Sequence, residues 1–241
     1  MIKLKLPIDC QNYFAIIDAC YQPMRESNPL KQKIIENKNG LISISTSYIR
    51  WAETNNLFKY KYCKIPDDEY LIMPNSSTAN LLTNNDMIRV YEEHFRDNRR
   101  GGFYEKIINS AKNPKIQCPF CCGIGEPEEL DHFLPKSNLG YYSIYPYNLI
   151  PICKTCNQTW KKTFFPEEKN EQLIHPYLDN DCIFNEQWLF AEIIIDTSNA
   201  SLSTVKFYVS PPSHWSEDLK GKVRFHFEKF ELDKRFGAVL D

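Results

Sequence analysis

Hydrophobic positions change their period several times along this chain, and each change predicts a different element. Within residues 12–20, Phe14, Ile16, Ile17 and Cys20 recur at the spacing of a short amphipathic helix. The run Ile42-Ser43-Ile44-Ser45 has instead the two-residue alternation of a half-buried strand. Across 85–111 the helical period returns through Met87, Val90, Tyr91, Phe95, Phe103, Ile107 and Ile108, with Gly101-Gly102 predicted to interrupt it. Residues 191–196 and 205–209 read as two strands of a hairpin turning near Asn199-Ala200-Ser201, and Leu219, Val223, Phe227 and Phe230 mark a closing amphipathic helix. Pro66-Asp67-Asp68 and Pro74-Asn75-Ser76-Ser77 punctuate the first third as turns. The pattern predicts an α+β chain in three parts. Residues 1–85 form a mostly helical accessory or partner-docking region, 86–180 carry the chemistry, and 181–241 add a hairpin and a helix.

Composition narrows the class. A chain of 241 residues that is 42% hydrophobic and 25% charged is ordinary for a soluble globular protein. Its net charge of −2 and pI near 6.2 give no global attraction to nucleic acid, so any such contact must rest on a local patch or on a partner's surface. No apolar run approaches the roughly 18 residues of a membrane span. The opening Met1-Ile2-Lys3-Leu4-Lys5-Leu6-Pro7 is too short and polar to read as an export signal. With nine cysteines, an odd count, the expectation is a cytoplasmic protein whose thiols bind metal rather than pair as disulfides.

Four of those cysteines are ordered. Cys118-Pro119-Phe120-Cys121 and Cys153-Lys154-Thr155-Cys156 are two knuckles whose thiolates suit the closed tetrahedral shell of a structural Zn²⁺. Cys122 is a possible stand-in ligand, while Cys10, Cys20 and Cys63 have no partner at ligand spacing and read as buried or free thiols. The gap between the knuckles is longer than a minimal zinc ribbon needs. It holds Asp131, His132 and Asn148, and Asn157 follows the last cysteine directly.

The segments Leu130-Asp131-His132-Phe133-Leu134-Pro135, Asn148-Leu149-Ile150-Pro151 and Cys156-Asn157 with Lys161 resemble the HNH endonucleases over roughly residues 115–165. The resemblance implies a ββα-metal core, here with Asn157 at the third signature position where many members carry His. It also implies that Asn148 hydrogen-bonds backbone near His132 and orients the imidazole. The wording Glu-Leu-Asp-His-Phe-Leu-Pro-Lys, the later His175-Pro176-Tyr177 and the final helix look like one branch, the PtuB-type effectors of Septu and retron-linked anti-phage systems. That branch implies an ABC-type ATPase partner (PtuA-like). No Gly-x-x-x-x-Gly-Lys loop occurs in the chain, so any ATP hydrolysis would fall to another protein.

Phosphodiester hydrolysis needs a deprotonated water, a cation on the scissile phosphate and fixed geometry. On this reading His132 titrates near neutral pH as the general base. Asp131 and the Asn157 carbonyl hold one hard cation, Mg²⁺ or Mn²⁺. Lys136, Lys154, Lys161 and Lys162 are candidate phosphate contacts, joined by Arg99 and Arg100 from the most basic stretch of the chain. Trp160 and Phe164 read as core anchors, Tyr141, Tyr142, Tyr145 and Tyr147 as packing, and His175 as a structural corner. DNA is the expected substrate. The rival readings are a non-catalytic zinc-ribbon module for nucleic acid or protein, and a stand-alone nuclease of restriction or mobile-element type.

Overall fold

The computed structural model describes residues 1–66, 69–71, 80–96, 102–112, 116–198 and 204–239. The chain opens with helices α1 (Ile8–Gln11), α2 (Tyr13–Tyr21) and α3 (Pro29–Glu53). Asn12 and Asn28 cap α2 and α3 by accepting from Ala15 N and Leu30 N, and Pro29 pre-sets the first turn of α3. The strand expected at Ile42-Ser43-Ile44-Ser45 is therefore wrong: these residues lie in the middle of α3. Four alternating residues are outvoted by the longer stripe of Leu30, Ile34, Leu41, Ser45, Tyr48 and Ala52, all buried at helical spacing. The serine hydroxyls that made the alternation polar return to carbonyls of the preceding turn, Ser43 to Asn39 and Ser45 to Ile42.

The basic stretch divides into two helices. Thr83 and Asp86 form a reciprocal capping box for α4 (Asn84–Arg89), which continues as a wider π-type turn over Val90–Arg96. Arg99, Arg100 and Gly101 lie outside the described residues, as do the turns expected at Asp67-Asp68, 74–77 and 199–201. Helix α5 (Phe103–Asn109) starts after Gly102 and buries Tyr104, Ile107 and Ile108.

Two small antiparallel sheets follow. Strand β1 (Glu129–His132) pairs with β2 (Leu149–Ile152) in the register Asp131 opposite Ile150 and His132 opposite Leu149. Beyond β2 the chain enters a π-type helical turn, Cys156–Lys161. It is closed by Lys162 in the left-handed region (φ 49°), whose N–H donates back to Asn157 O. After the short α6 (Cys182–Asn185), strands β3 (Leu189–Ile194) and β4 (Thr204–Val209) form the expected hairpin. Helix α7 (Glu217–Lys229) and helix α8 (Leu232–Gly237) complete the order, with Phe207 of β4 packed on Phe236 of α8.

One buried cluster runs from Leu4 to Leu232, so the N-terminal helices and the knuckle region share a core. Tyr13 and Tyr48 stack edge-on against Tyr145, and Tyr48 also meets Tyr142. The tyrosine-rich loop is thus packing, as its sequence predicts. A second cluster of Ile174, Ile183, Trp188, Trp215 and Val223 lies beneath α7. Trp160 and Phe164 are partly buried against the main core, Trp160 under the Arg235 guanidinium at 4.1 Å and Phe164 beside Phe225. Among the described residues no helix is long and apolar enough to cross a membrane.

Candidate functional site

Two knuckles separated by more than thirty residues converge because β1 and β2 pair between them. The Sγ atoms of Cys118, Cys121, Cys153 and Cys156 all lie within 4.8 Å of one another and are buried. Sulfurs at about 2.3 Å from a tetrahedral zinc lie about 3.8 Å apart; Cys121 and Cys153 stand at 3.9 Å. The donors around them also suit thiolates. Gly125 N reaches Cys121 Sγ, Cys153 N reaches Cys118 Sγ, and Arg235 Nη1 reaches Cys156 Sγ, each at 3.4 Å. Gly125 is required by space, since a Cβ there would sit 2.7 Å from Cys153 Sγ. The four cysteines could therefore hold zinc, as their spacing predicts. Cys122 turns away with φ 54°, its thiol directed at Met1 Sδ, so it is not one of the four. Cys10 and Cys20 are buried thiols and Cys63 is exposed.

The C-terminal helices brace this cluster in a way the sequence did not disclose. His226 accepts from Ile174 N through Nδ1, so its proton sits on Nε2 and is donated to Phe120 O inside the first knuckle. His175 is equally enclosed. Its Nδ1 accepts from Tyr177 N, its backbone N–H donates to Asp179 Oδ2, and its Nε2 lies 3.3 Å from Tyr48 OH. This is the structural corner expected of it. Burial pushes His132, His175 and His226 each down to about 3.

Those three depressed values carry a stability prediction. The unfolded chain takes up protons below the ordinary histidine pKa of about 6.5, while the folded chain refuses them until about 3. Stability is then complete above pH 6.5 and is lost as pH falls toward 3. At pH 5.5, a unit below the unfolded value, each histidine contributes a loss on the order of 1 kcal/mol, and the three together a few kcal/mol. Chemical denaturation at pH 7.5 and 5.5 measures it, and His175→Gln should flatten the slope by one histidine's share. Equal stability at the two pH values would contradict this account of the three rings.

The two faces of β1 separate the remaining candidates. Glu129 and Asp131 are half-buried and face the Cys156–Lys161 turn, whereas Leu130 and His132 are buried. Asp131 Oδ2 is buried and receives no hydrogen bond of good geometry. Lys161 Nζ pairs with it at 2.5 Å while donating to His132 O at 2.7 Å. Burial raises the Asp131 carboxyl, and the Lys161 ammonium opposes that. Asn157, four positions before Lys161 on the same turn, donates Nδ2 to Glu129 Oε2 at 2.7 Å.

His132 meets Tyr91 edge-on at 4.4 Å between centroids and bonds Ser143 O through Nε2 at 2.8 Å. The expectation that it titrates near neutral pH is corrected. Desolvation, reinforced by Lys136 and Lys161, outweighs the hydrogen bond to Ser143, and the ring stays neutral. Since Ser143 O can only accept, Nε2 carries the proton and Nδ1 keeps its lone pair. Asn148 is fully buried. Its Oδ1 accepts from Leu134 N and from Tyr48 OH, and its Nδ2 donates to Leu134 O and Tyr142 O. It fixes the backbone just after His132, the location that the family resemblance implied. Tyr48, contributed by α3 a hundred residues earlier, was not marked by any sequence signal.

The lysines divide. Lys161 was expected to grip phosphate, but it is 1% exposed and serves as the buried counter-charge of Asp131, so that expectation is overturned. Lys161→Met would strand a buried carboxylate, and a loss of about 3–5 kcal/mol is expected in thermal or chemical unfolding; an unchanged midpoint would refute the pairing. Lys136 is engaged by Glu92 at 2.6 Å and lies over Tyr91. Lys154 and Lys162 are exposed, with no ion pair among the described residues. The arrangement is thus a sulfur cluster beside a carboxylate–amide face, with a neutral imidazole on the adjoining residue.

No family model matches the chain, and no solved structure matches it. Over 234 residues it is 29% identical to protein ea31 of Escherichia phage lambda, a match that covers 96% of this chain and 74% of that protein.

Proposed function

We propose that this chain is a metal-dependent endonuclease of HNH type that hydrolyses nucleic-acid phosphodiester bonds, with DNA as substrate. The observation that carries the reading is the face shared by β1 and the Cys156–Lys161 turn, where the Asp131 carboxylate, paired with Lys161, lies on the same side of the strand as Glu129 and the Asn157 amide bonded to it. Carboxylate and amide oxygens are the ligands a hard cation takes, and Asn157 has a carbonyl oxygen left over once its amide N–H is spent on Glu129. Asp131 and Asn157 would hold Mg²⁺ or Mn²⁺, and the four cysteines would hold a structural Zn²⁺. The hard cation would supply charge for the scissile phosphate and the leaving oxygen.

The chain's own groups do the rest. On the HNH resemblance His132 would be the base for an attacking water, through Nδ1, the nitrogen that its bond to Ser143 O leaves unprotonated. Asn148 holds the backbone from which that ring projects. Lys161 already compensates Asp131, so tight binding of the cation needs substrate oxygens to complete the shell. Lys154 and Lys162, exposed and without an ion pair among the described residues, flank the turn that bears Asn157, which supports modest unaided affinity for a polyanion. The PtuB-like role, a nuclease of an anti-phage system delivered to its substrate by an ABC-type ATPase, is proposed on the sequence resemblance alone.

A second reading, a zinc-ribbon binding module without catalysis, draws on the burial of His132 and the pairing of Asp131 with Lys161. Plasmid relaxation with and without Mg²⁺, and with and without the candidate ATPase, separates the two. Cleavage that requires Mg²⁺ supports the nuclease, and binding without cleavage under every condition supports the module.

A further inference from the structure

We propose that Glu129 is a positioning residue that locks the amide of Asn157 so that its carbonyl oxygen is presented to the catalytic cation. The inference rests on the nuclease reading above and adds a residue to its machinery. An asparagine amide has two ends of nearly equal shape and opposite chemistry, and only the carbonyl oxygen ligates a cation. A carboxylate accepts and never donates, so the end of Asn157 that lies 2.7 Å from Glu129 Oε2 must be the N–H₂. Its carbonyl oxygen is thereby turned away from Glu129 and left for another partner.

The carboxylate that enforces this is itself held. Gln158, the next residue on the turn, donates Nε2 to the other oxygen, Glu129 Oε1, at 3.2 Å. The backbone beneath is fixed by the β1–β2 pairing, with Glu129 opposite Ile152 and Glu128 N bonded to Ile152 O. Glu129 and Asp131 are two apart on one strand and so share a face, while Asn157 and Lys161 are four apart on one helical turn. Glu129 to Asn157 and Asp131 to Lys161 are therefore parallel cross-links between the same two elements. The first orients a ligand amide, and the second sets the charge of a ligand carboxylate.

Partners behind a metal ligand change affinity by roughly 10–100-fold when removed. The test is Mn²⁺ binding followed by electron paramagnetic resonance on zinc-loaded full-length chain, which needs no cleavage. Glu129→Ala is expected to weaken an Asp131-dependent Mn²⁺ site about 10-fold, and Glu129→Gln, which keeps an acceptor oxygen, to restore most of it. In an Asn157→Ala background Glu129→Ala should cost nothing further, because its effect passes through the amide. Undiminished Mn²⁺ affinity in Glu129→Ala, or an equal loss with and without Asn157, would overturn the positioning role while the nuclease reading stands. Absence of any Asp131-dependent Mn²⁺ site in the wild-type chain would instead remove the nuclease reading and this proposal together.

Discussion

Cys153→Ser is expected to abolish the proposed zinc site and to melt the β1–β2 pair, the largest effect any single substitution should have here. The apparent free energy of a structural zinc site is about 10–16 kcal/mol, more than the whole stability of most domains at about 5–15 kcal/mol. The sulfur cluster is where its contribution is concentrated. Cys118, Cys121, Cys153 and Cys156 are buried within one core with Phe120, Leu149, Ile150 and Ile152, so four protonated thiols facing one another cannot replace a shared cation. The readouts are zinc per chain, expected to fall from one to none, and hydrogen exchange of the β1 and β2 amides, expected to lose protection. Retained protection in a zinc-free variant would show that the apolar core alone holds the pair.

The second large effect concerns chemistry. His132→Ala should lower nucleic-acid cleavage by about 10²- to 10⁴-fold, the range for loss of a general base. Because the ring also bonds Ser143 O and packs on Tyr91, a loss of about 1–3 kcal/mol of stability accompanies it. His175→Ala is the control. That ring is as buried and as neutral, is tied to Tyr48 OH and Tyr177 N, and has no part in the proposed chemistry. At a temperature where both variants stay folded and zinc-loaded, His132→Ala should be inactive and His175→Ala active. Equal activities would remove His132 from the mechanism.

What was legible in the sequence follows from how local each determinant is. The knuckles and the Asp131-His132 pair are short-range patterns, and the hairpin β3–β4 and helix α7 are written in their own periodicities. Asn148 was placed by the family resemblance alone, and its bonds to Leu134 and Tyr142 fall within that same segment. Lys161 was misread for the opposite reason. A lysine four residues after Asn157 is exposed or buried depending on which face of the turn meets β1, and that face is chosen by the sheet and not by the helix. The same holds for α3, where four alternating residues mimic a strand until the full stripe ending in Tyr48 and Ala52 is counted. Tyr48 to Asn148, His226 to Phe120 and Arg235 to Cys156 are contacts over 79 to 106 positions. No residue type or spacing announces such pairs in a single chain.

The cation face of β1 is the central claim, and Asp131→Asn tests it most directly. The change keeps the shape of the side chain, removes its charge, and leaves Glu129, Asn157 and the sulfur cluster in place. Plasmid nicking is measured in Mg²⁺ with zinc content and folding verified. The account predicts Mg²⁺-dependent cleavage by the wild-type chain and none by the variant. Cleavage by zinc-loaded Asp131→Asn at the wild-type rate would contradict it.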